Sequence, residues 1–190
     1  MNAFRQSASQ SVYRLNSALW REMLMAEPNI KAVRLDERLI HGQGRLWISN
    51  LGVNLVIVAN DEVAKSHIQQ QLMASLMPES VGIRFFSLAE TIDKIFKAAP
   101  RQTIFIIVKT PQDALKLAEG GVPIKALNVG NIHMKDGKTR LTNFISVDAD
   151  DLNALRTLHE KYHANLNTRT TPLGNDVGSD FDLNDYVATH

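Results

Sequence analysis

Short apolar runs alternate with longer segments of helical spacing from Ile30 onward, and this alternation constrains the fold more than any other feature of the chain. A run such as Leu55-Val56-Ile57-Val58 is apolar on both faces, as strands in a sheet covered on both sides are. The predicted strands are Lys31–Leu35, Asn54–Ala59, Val81–Phe86, Thr103–Val108, Ala126–Val129 and, near the end, Asn165–Thr168. Repeated β-α units with short connections predict an α/β fold: a doubly wound, mainly parallel β-sheet with helices on both faces.

The segments between these strands have helical spacing, and several of them begin with capping signals. The predicted helices are Gly42–Leu51, Asp61–Met77, Leu88–Ala98, Pro111–Glu119 and Asp151 to about Tyr162. Ser87 and Glu90 form a capping box, and Thr110 precedes a proline at the first helical position. After Val129 the pattern changes, and Lys135-Asp136-Gly137-Lys138 predicts a tight turn between short strands.

Both ends of the chain differ from the domain that we predict over residues 30–187. Residues 1–29 form an N-terminal extension, disordered or helical, whose first part carries three arginines and Glu22 as its only acid. That composition is superficially like a transit peptide, but we favour an upstream start or a simple extension. The tail beyond Thr171 is rich in Gly, Asn and Asp, and we expect it to run over the surface.

Composition excludes several classes of function. Lys and Arg total 21 against 20 Asp and Glu, so the chain has no bulk basic field and a nucleic-acid partner is disfavoured. The absence of cysteine excludes disulfides, thiolate metal sites and cysteine nucleophiles. No apolar run approaches the roughly 20 residues of a membrane span. These properties predict a cytoplasmic protein.

The loop after the first strand concentrates reactive side chains where such sheets bind ligands, at the carboxyl ends of the strands. Asp36-Glu37-Arg38-Leu39-Ile40-His41-Gly42-Gln43 precedes a helix N-terminus, which favours an anion such as phosphate and a neutral imidazole at His41. Arg38 can bind phosphate oxygens with its fork of donors. Asp36 would orient the imidazole ring or hold Arg38, and Gly42 would let the backbone approach a ligand closely. The alternative interpretation is a partly buried histidine that caps a helix.

Two further motif matches do not support a site. His159-Glu160-Lys161-Tyr162-His163 fits the H-E-x-x-H zinc pattern, but it lies at a helix end without an evident third ligand. We therefore expect no zinc and rank a zinc hydrolase far behind. The Gly130…Gly137-Lys138-Thr139 segment is similar to a P-loop, but its glycines are too far apart and Asp136-Gly137 indicates a hairpin turn.

The reactive loop carries a resemblance to a known family. Residues 33–43, VRLDERLIHGQ, resemble the RIDDRLIHGQV segment of enzyme IIB components of the mannose/sorbose family of the bacterial sugar phosphotransferase system. Further matches follow in order: Val58–Ala64, Lys109-Thr110-Pro111 with Asp113, Gly120–Pro123, Asn128–Asn131 and Ser146–Asp148. The resemblance covers about residues 30–170. Lys109-Thr110-Pro111 and Gly130–His133 are most similar to the N-acetylgalactosamine/galactosamine type, whereas Gly44 replaces a family valine and would loosen the loop.

The resemblance implies a phosphocarrier that needs no nucleotide, metal or other cofactor. His41 would accept a phosphoryl group on Nδ1 from the phosphohistidine of a IIA partner. It would then pass the group to a sugar held by membrane IIC and IID partners, at the cytoplasmic side of the membrane. Asp36, Arg38, Gly42, Gln43 and Thr110 would bind or orient the phosphate. The competing hypothesis is a non-catalytic regulator that binds phosphate or phosphohistidine without transfer, and homo-oligomerisation is left open.

Overall fold

Six parallel strands form the central sheet of the computed structural model, which describes residues 27–42, 44–172 and 181–190. The sheet strands are β1 (Ile30–Asp36), β2 (Leu55–Ala59), β3 (Gly82–Phe86), β4 (Ile104–Val108), β5 (Ala126–Asn131) and β8 (Asn165–Asn167). The helices are α1 (Gly44–Leu51), α2 (His67–Ala74), α3 (Leu88–Lys94), α4 (Pro111–Glu119), α5 (Ala149–Glu160) and α6 (Leu183–Thr189). A short antiparallel pair, β6 (Thr139–Arg140) and β7 (Ser146–Val147), lies outside the sheet.

The strand order, β3-β2-β4-β1-β5-β8, places the predicted reactive loop at the point where the sheet changes direction. The chain leaves β1 toward β2 on one side and leaves β5 toward β8 on the other. The carboxyl ends of β1 and β5 therefore border a crevice, which is where open α/β sheets bind their ligands. The predicted doubly wound, parallel architecture is confirmed.

Helices cover both faces of the sheet, because its central strands are apolar on both sides. Residues of α3, α4, α5 and α6 pack on one face, where the core includes Leu35, Ile106, Leu117, Leu155 and Val187. On the other face α1 supplies the two buried residues Trp47 and Ile48, which lie against Val56, Phe105 and Ile107. Strands β2 and β4 are buried along their whole length, as their unbroken apolar runs predict.

The helix predicted over Asp61–Met77 is wrong as a single element. A 3-10 turn spans Val63–Lys65, and α2 begins only at His67 because Ser66 takes an extended conformation and caps it. Ser66 and Gln69 make up the capping signal that should have marked this start. The predicted helix Leu88–Ala98 likewise ends as α3 at Lys94 and continues as a 3-10 turn.

The expectation that the tail beyond Thr171 runs over the surface is wrong for residues 183–189. These residues form α6, whose Leu183 and Val187 are buried in the core. Asn184 Oδ1 accepts a hydrogen bond from the backbone N–H of Leu166 in β8 at 2.8 Å. One or two apolar residues per turn are enough to anchor a helix on the core. The sequence analysis missed this helix because the tail as a whole contains few apolar residues. The described residues exclude 173–180 and 1–26. Most of the predicted N-terminal extension falls in the second of these ranges.

The predicted turn at residues 135–138 is present, but it does not join a hairpin. Lys138 donates its backbone N–H to the Lys135 carbonyl at 3.1 Å, and Gly137 has the positive φ of 83° that the turn requires. The turn leads from β5 into β6, and β6 pairs with β7 rather than with the strand before the turn.

Candidate functional site at the carboxyl end of the first strand

The loop after β1 is fixed to the core by two apolar residues between its polar ones. Leu39 and Ile40 are buried against α1, and Leu39 has a φ of 54°, a left-handed conformation that is rare for a branched residue. Its backbone N–H donates to the Asp36 carbonyl at 2.8 Å, which closes the turn. This turn brings His41 to the surface, where its side chain is 22% exposed. A left-handed φ at a buried residue such as Leu39 is a strained backbone conformation, and such strain is typical of functional sites.

Asp36 is the centre of the site, and its side chain is completely buried. Its Oδ1 accepts from Arg38 Nε and from the Arg38 backbone N–H, both at 3.1 Å. Its Oδ2 lies 3.0 Å from His41 Nε2. The sequence left open whether Asp36 orients the imidazole or holds Arg38, and the structure shows that it does both.

The hydrogen bonds at Asp36 determine the charge of its carboxyl group and the tautomer of a neutral His41. Burial alone would raise the pKa of Asp36, but hydrogen bonds from Arg38 and His41 and the charge of Arg34 outweigh it and lower that pKa. An ionised carboxylate can only accept hydrogen bonds, so a neutral His41 carries its proton on Nε2. The Nδ1 atom of His41 then holds the lone pair and is the nucleophilic atom of the ring.

Arg34 completes this cluster, and the sequence analysis gave it no role. Its side chain is 3% exposed, and its guanidinium donates to Asp36 Oδ2 at 3.0 Å. The same group donates to Asn128 Oδ1 and lies 4.9 Å from the centre of the Trp47 ring. Side chains two positions apart on a strand share a face, so an Arg and an Asp at positions 34 and 36, next to the apolar Val33 and Leu35, were the available signal.

The cluster has an excess of positive charge. Arg34 and Arg38 face one carboxylate, that of Asp36, and the Arg38 side chain is 38% exposed. A phosphoryl group placed next to His41 would therefore meet a guanidinium that can form further charge-assisted hydrogen bonds. Apart from its chain neighbours, no described residue has an atom within 4 Å of where a Cβ on Gly42 would stand. Gln43 lies outside the described residues, and the phosphate-binding role assigned to it stays a prediction.

Thr110 lies at the same edge of the sheet, because β4 is a direct neighbour of β1. Its hydroxyl accepts a hydrogen bond from the Asp113 backbone N–H at 3.1 Å and so caps α4. The structure thus explains Thr110 as a helix cap, and its contact with phosphate stays a prediction.

Glu37 turns away from the cluster and ties the loop to β5. Its carboxylate lies 2.7 Å from His133 Nδ1 and 3.1 Å from Lys135 Nζ, and its backbone N–H donates to the Asn131 carbonyl at 3.0 Å. Burial raises the pKa of Glu37, but the hydrogen bonds from His133 and Lys135 outweigh this effect and lower it. Glu37 therefore fixes the loop between β1 and β5 without adding its charge to the His41 cluster.

The H-E-x-x-H match and the P-loop-like segment form no comparable site. Helix α5 ends at Glu160 and His163 has a φ of 55°, so the two histidines of the zinc pattern do not share one helical face. Within the described ranges no group of three or more His, Asp or Glu side chains is placed to hold a metal ion. Lys138 of the P-loop-like segment is bound by Asp148 and Asp151. A groove of about 630 Å³, lined by Lys31, Trp47 and other residues, does not include the His41 loop.

Fold and loop together define an α/β protein with a carboxylate-oriented histidine at the switch point of a parallel sheet. The family model described as the PTS system sorbose subfamily IIB component matches residues 30–181. The chain therefore belongs to this family: it is a IIB component of a sugar phosphotransferase system, and phosphoryl transfer is its general role.

Relatives with solved structures and curated sequences agree with this assignment. The crystal structure of an N-acetylgalactosamine IIB component from Streptococcus pyogenes is 53% identical, with a TM-score of 0.81, over 85% of this chain and 99% of that one. The N-acetylgalactosamine-specific IIB component 2 of Escherichia coli K12 is 49% identical over 69% of this chain and 84% of its own. The mannose-specific EIIAB component of the same strain is 32% identical over 70% of this chain, which spans 42% of that protein. Among the described residues no helix is long and apolar enough to cross a membrane.

Proposed function

We propose that His41 is the phosphoryl acceptor of this IIB component and that its Nδ1 atom forms the bond to phosphorus. The observation that carries the proposal is the 3.0 Å contact between His41 Nε2 and the buried carboxylate of Asp36. This contact leaves Nδ1 with the lone pair on a side chain that is partly exposed to an incoming donor.

In the first step the Nδ1 lone pair attacks the phosphorus of a phosphohistidine on a IIA partner. The donor's P–N bond breaks, its electron pair returns to the donor imidazole, and a new P–N bond forms on His41. The His41 ring becomes cationic while its proton stays on Nε2, and the carboxylate of Asp36 stabilises that positive charge. Arg38 stabilises the equatorial phosphoryl oxygens, so catalysis consists of positioning and charge stabilisation.

In the second step a sugar hydroxyl oxygen attacks the same phosphorus. The P–N bond to His41 breaks, its electron pair returns to Nδ1, and the hydroxyl proton is released to solvent. We infer that the sugar is an amino sugar, N-acetylgalactosamine, because two relatives named for that sugar are about half identical to this chain. The sugar would be held by membrane IIC and IID partners, with this protein bound at their cytoplasmic side.

A IIA partner is supported by the EIIAB relative, whose name joins a IIA and a IIB part and of which this chain covers only 42%. A separate protein or domain would then supply the phosphohistidine here. The competing hypothesis, a regulatory module that binds phosphohistidine without accepting its phosphoryl group, differs in one measurable respect. It predicts binding to IIA without covalent labelling.

The test of the acceptor is labelling with radioactive phosphoenolpyruvate, the general phosphotransferase proteins and IIA. The wild-type protein should gain one acid-labile, base-stable phosphoryl group, and phosphorus NMR should place it on an imidazole Nδ1. His41→Ala should abolish labelling, whereas the matched controls His133→Ala and His159→Ala should label normally. Labelling of His41→Ala at the wild-type rate would refute the acceptor assignment, and binding of IIA without any labelling would favour the regulator.

The sugar is tested separately with membrane vesicles that contain the IIC and IID partners. Phosphorylated protein should transfer its group to N-acetylgalactosamine faster than to galactosamine or mannose. A preference for mannose would refute the amino-sugar assignment and leave the role of His41 intact.

A further inference from the structure

Arg34 is a buried cation that the proposed transfer steps do not use. It lies in the middle of β1 between Val33 and Leu35, and only 3% of its side chain is exposed. Burial lowers the pKa of Arg34, and the neighbouring Asp36 carboxylate opposes that effect. Because burying a guanidinium is costly unless it is paired and hydrogen-bonded, its surroundings indicate what it is held there to do.

Three neighbours fix the position of the Arg34 guanidinium. The Asn128 amide donates to Asn167 Oδ1 at 2.7 Å and to the Arg169 carbonyl at 2.9 Å, which turns its own oxygen toward Arg34. The ring of Trp47 packs against the guanidinium. These contacts leave Asp36 Oδ2, at 3.0 Å, as the carboxylate partner of Arg34.

Gly130 in β5 provides the space that the guanidinium occupies. A Cβ at this position would lie 2.1 Å from Arg34 Cζ and 2.2 Å from one of its terminal nitrogens. Any side chain at residue 130 would therefore push the guanidinium away from Asp36. The glycine serves this close approach rather than a turn, since it lies inside a strand.

We propose that Arg34, seated against Gly130, is a positioning residue that acts through Asp36 on the tautomer of His41. Arg34 and His41 bond the same oxygen, Asp36 Oδ2, each at 3.0 Å. The fixed charge of Arg34 favours the ionised carboxylate, the carboxylate holds the proton of His41 on Nε2, and the lone pair stays on Nδ1. The inference rests on the proposed role of His41 as acceptor.

Arg38 also stabilises the carboxylate, but it holds Asp36 differently from Arg34. Arg38 bonds mainly the other oxygen, Oδ1, and it is partly exposed, so it is free to move toward a phosphoryl group. Without Arg34 the carboxylate would lose its buried cation and would be held only by Arg38 and His41, so its hold on a single tautomer of His41 would weaken. In metal sites the removal of a residue that orients a ligating histidine costs roughly ten- to a hundredfold in affinity or activity, and we expect the lower end of that range here.

The test combines the labelling rate with nitrogen NMR of the His41 ring at neutral pH, which distinguishes the two tautomers without any transfer. Arg34→Met should lower the maximal rate of labelling about tenfold, leave the KM for phosphorylated IIA unchanged, and give a mixture of tautomers. Arg34→Lys, which keeps the charge, should recover part of the labelling rate and part of the wild-type tautomer. The matched control Arg84→Met removes an exposed arginine of β3 and should change neither.

Gly130→Ala tests the same role of Arg34 without removing any charged group, because the added Cβ displaces the Arg34 guanidinium. It should reproduce the tautomer mixture, whereas Gly82→Ala should not, because a Cβ there meets its nearest atom at an ordinary 3.6 Å. A wild-type tautomer in folded Arg34→Met would overturn the inference, as would a rate loss that tracks thermal stability alone. A wild-type protein that never labels would refute the function of His41 instead, and the NMR comparison would still decide the role of Arg34.

Discussion

Two buried carboxylates of this protein, Asp36 and Asp151, are both paired with cations, but they differ in the balance of charge around them. Asp36 faces two guanidinium groups and an imidazole. Asp151 shares Lys138 with a second carboxylate, that of Asp148, and also accepts from Gln112. The first cluster has an excess of positive charge, and the second has an excess of negative charge.

We infer from this comparison that charge balance, not the presence of a lysine or a glycine motif, distinguishes the proposed phosphate site from a structural ion cluster. Lys138 follows Gly137 as a P-loop lysine would, but its side chain is only 9% exposed and its ammonium is paired with both carboxylates. An incoming phosphoryl group would meet net repulsion there. At His41 the same group meets an exposed part of Arg38.

The largest expected difference comes from neutralising each carboxylate in turn. Asp36→Asn leaves Arg34 buried without a carboxylate, so we expect a loss of about 3 kcal/mol in the free energy of unfolding. The labelling rate should also fall roughly ten- to a hundredfold because the His41 tautomer is released. Urea denaturation and the IIA labelling assay measure the two effects.

Asp151→Asn is the matched control for that experiment. Lys138 keeps Asp148 at 3.1 Å, so the free energy of unfolding should fall by only about 1.5 kcal/mol and labelling should not change. Equal losses of stability in the two variants would contradict the claim that the Asp36 cluster depends on a single carboxylate.

Removing the lysine should have a smaller effect, and on stability alone. Lys138→Met leaves Asp148 and Asp151 close together without their shared cation, and we expect a loss of about 2 kcal/mol in the free energy of unfolding. The rate of labelling on His41 should stay at the wild-type value. A slower rate in a fully folded Lys138→Met protein would show that the two clusters are coupled.

The two clusters should also differ in how their stability depends on pH, because only the Lys138 cluster has a lysine whose pKa is raised. Since the folded-state pKa of Asp36 is lowered, its stabilisation is complete above an unfolded pKa of about 4 and is lost as the pH falls through the folded value. Burial lowers the pKa of Lys138, but bonds from Asp151 and Asp148 outweigh it and raise that pKa. Its stabilisation is complete below an unfolded pKa of about 10.4 and is lost as the pH rises through the folded value.

Urea unfolding from acid to alkaline pH measures this difference. Asp36→Asn should weaken the dependence of stability on pH on the acid side only. Lys138→Met should weaken it on the alkaline side and also on the acid side, because Lys138 helps to lower the pKa of Asp148. If Asp36→Asn lost stability at low pH as steeply as the wild type does, other carboxylates would dominate acid unfolding.

Those parts of the fold and site that depend on local patterns were predictable from the sequence. The apolar runs of β2 and β4 and the capping signal of α4 predicted those elements to within a residue, and the capping box of α3 predicted where that helix begins. Asp36, Arg38 and His41 lie in one short loop, so the strand end alone indicated that they would meet.

The missing parts depend on contacts between distant segments. Arg34 gains its role from Asn128 and Gly130, which are about ninety residues away in the chain. Helix α6 is held by Leu183 and Val187 against elements that no local pattern connects with it. In both cases only the assembled sheet shows what the residue contacts.

The smallest expected effect concerns Gly44, which stands where the family pattern has valine and begins α1. The sequence suggested that this glycine loosens the loop. A Cβ here would meet Ile40 Cδ1 at 3.8 Å, an ordinary contact, so Gly44→Ala should fit without displacing the loop. Alanine loses less backbone entropy than glycine on folding, and we expect a gain of about 0.5 kcal/mol in the free energy of unfolding.

Labelling of Gly44→Ala decides whether the His41 loop needs that freedom. The imidazole is held by Asp36 rather than by the first turn of α1, so the labelling rate should equal that of the wild type. Gly52→Ala is the contrasting control, because its φ of 59° makes alanine strained and should lower stability instead. A stabilised Gly44→Ala protein that labels more slowly would mean that the His41 loop must move during transfer.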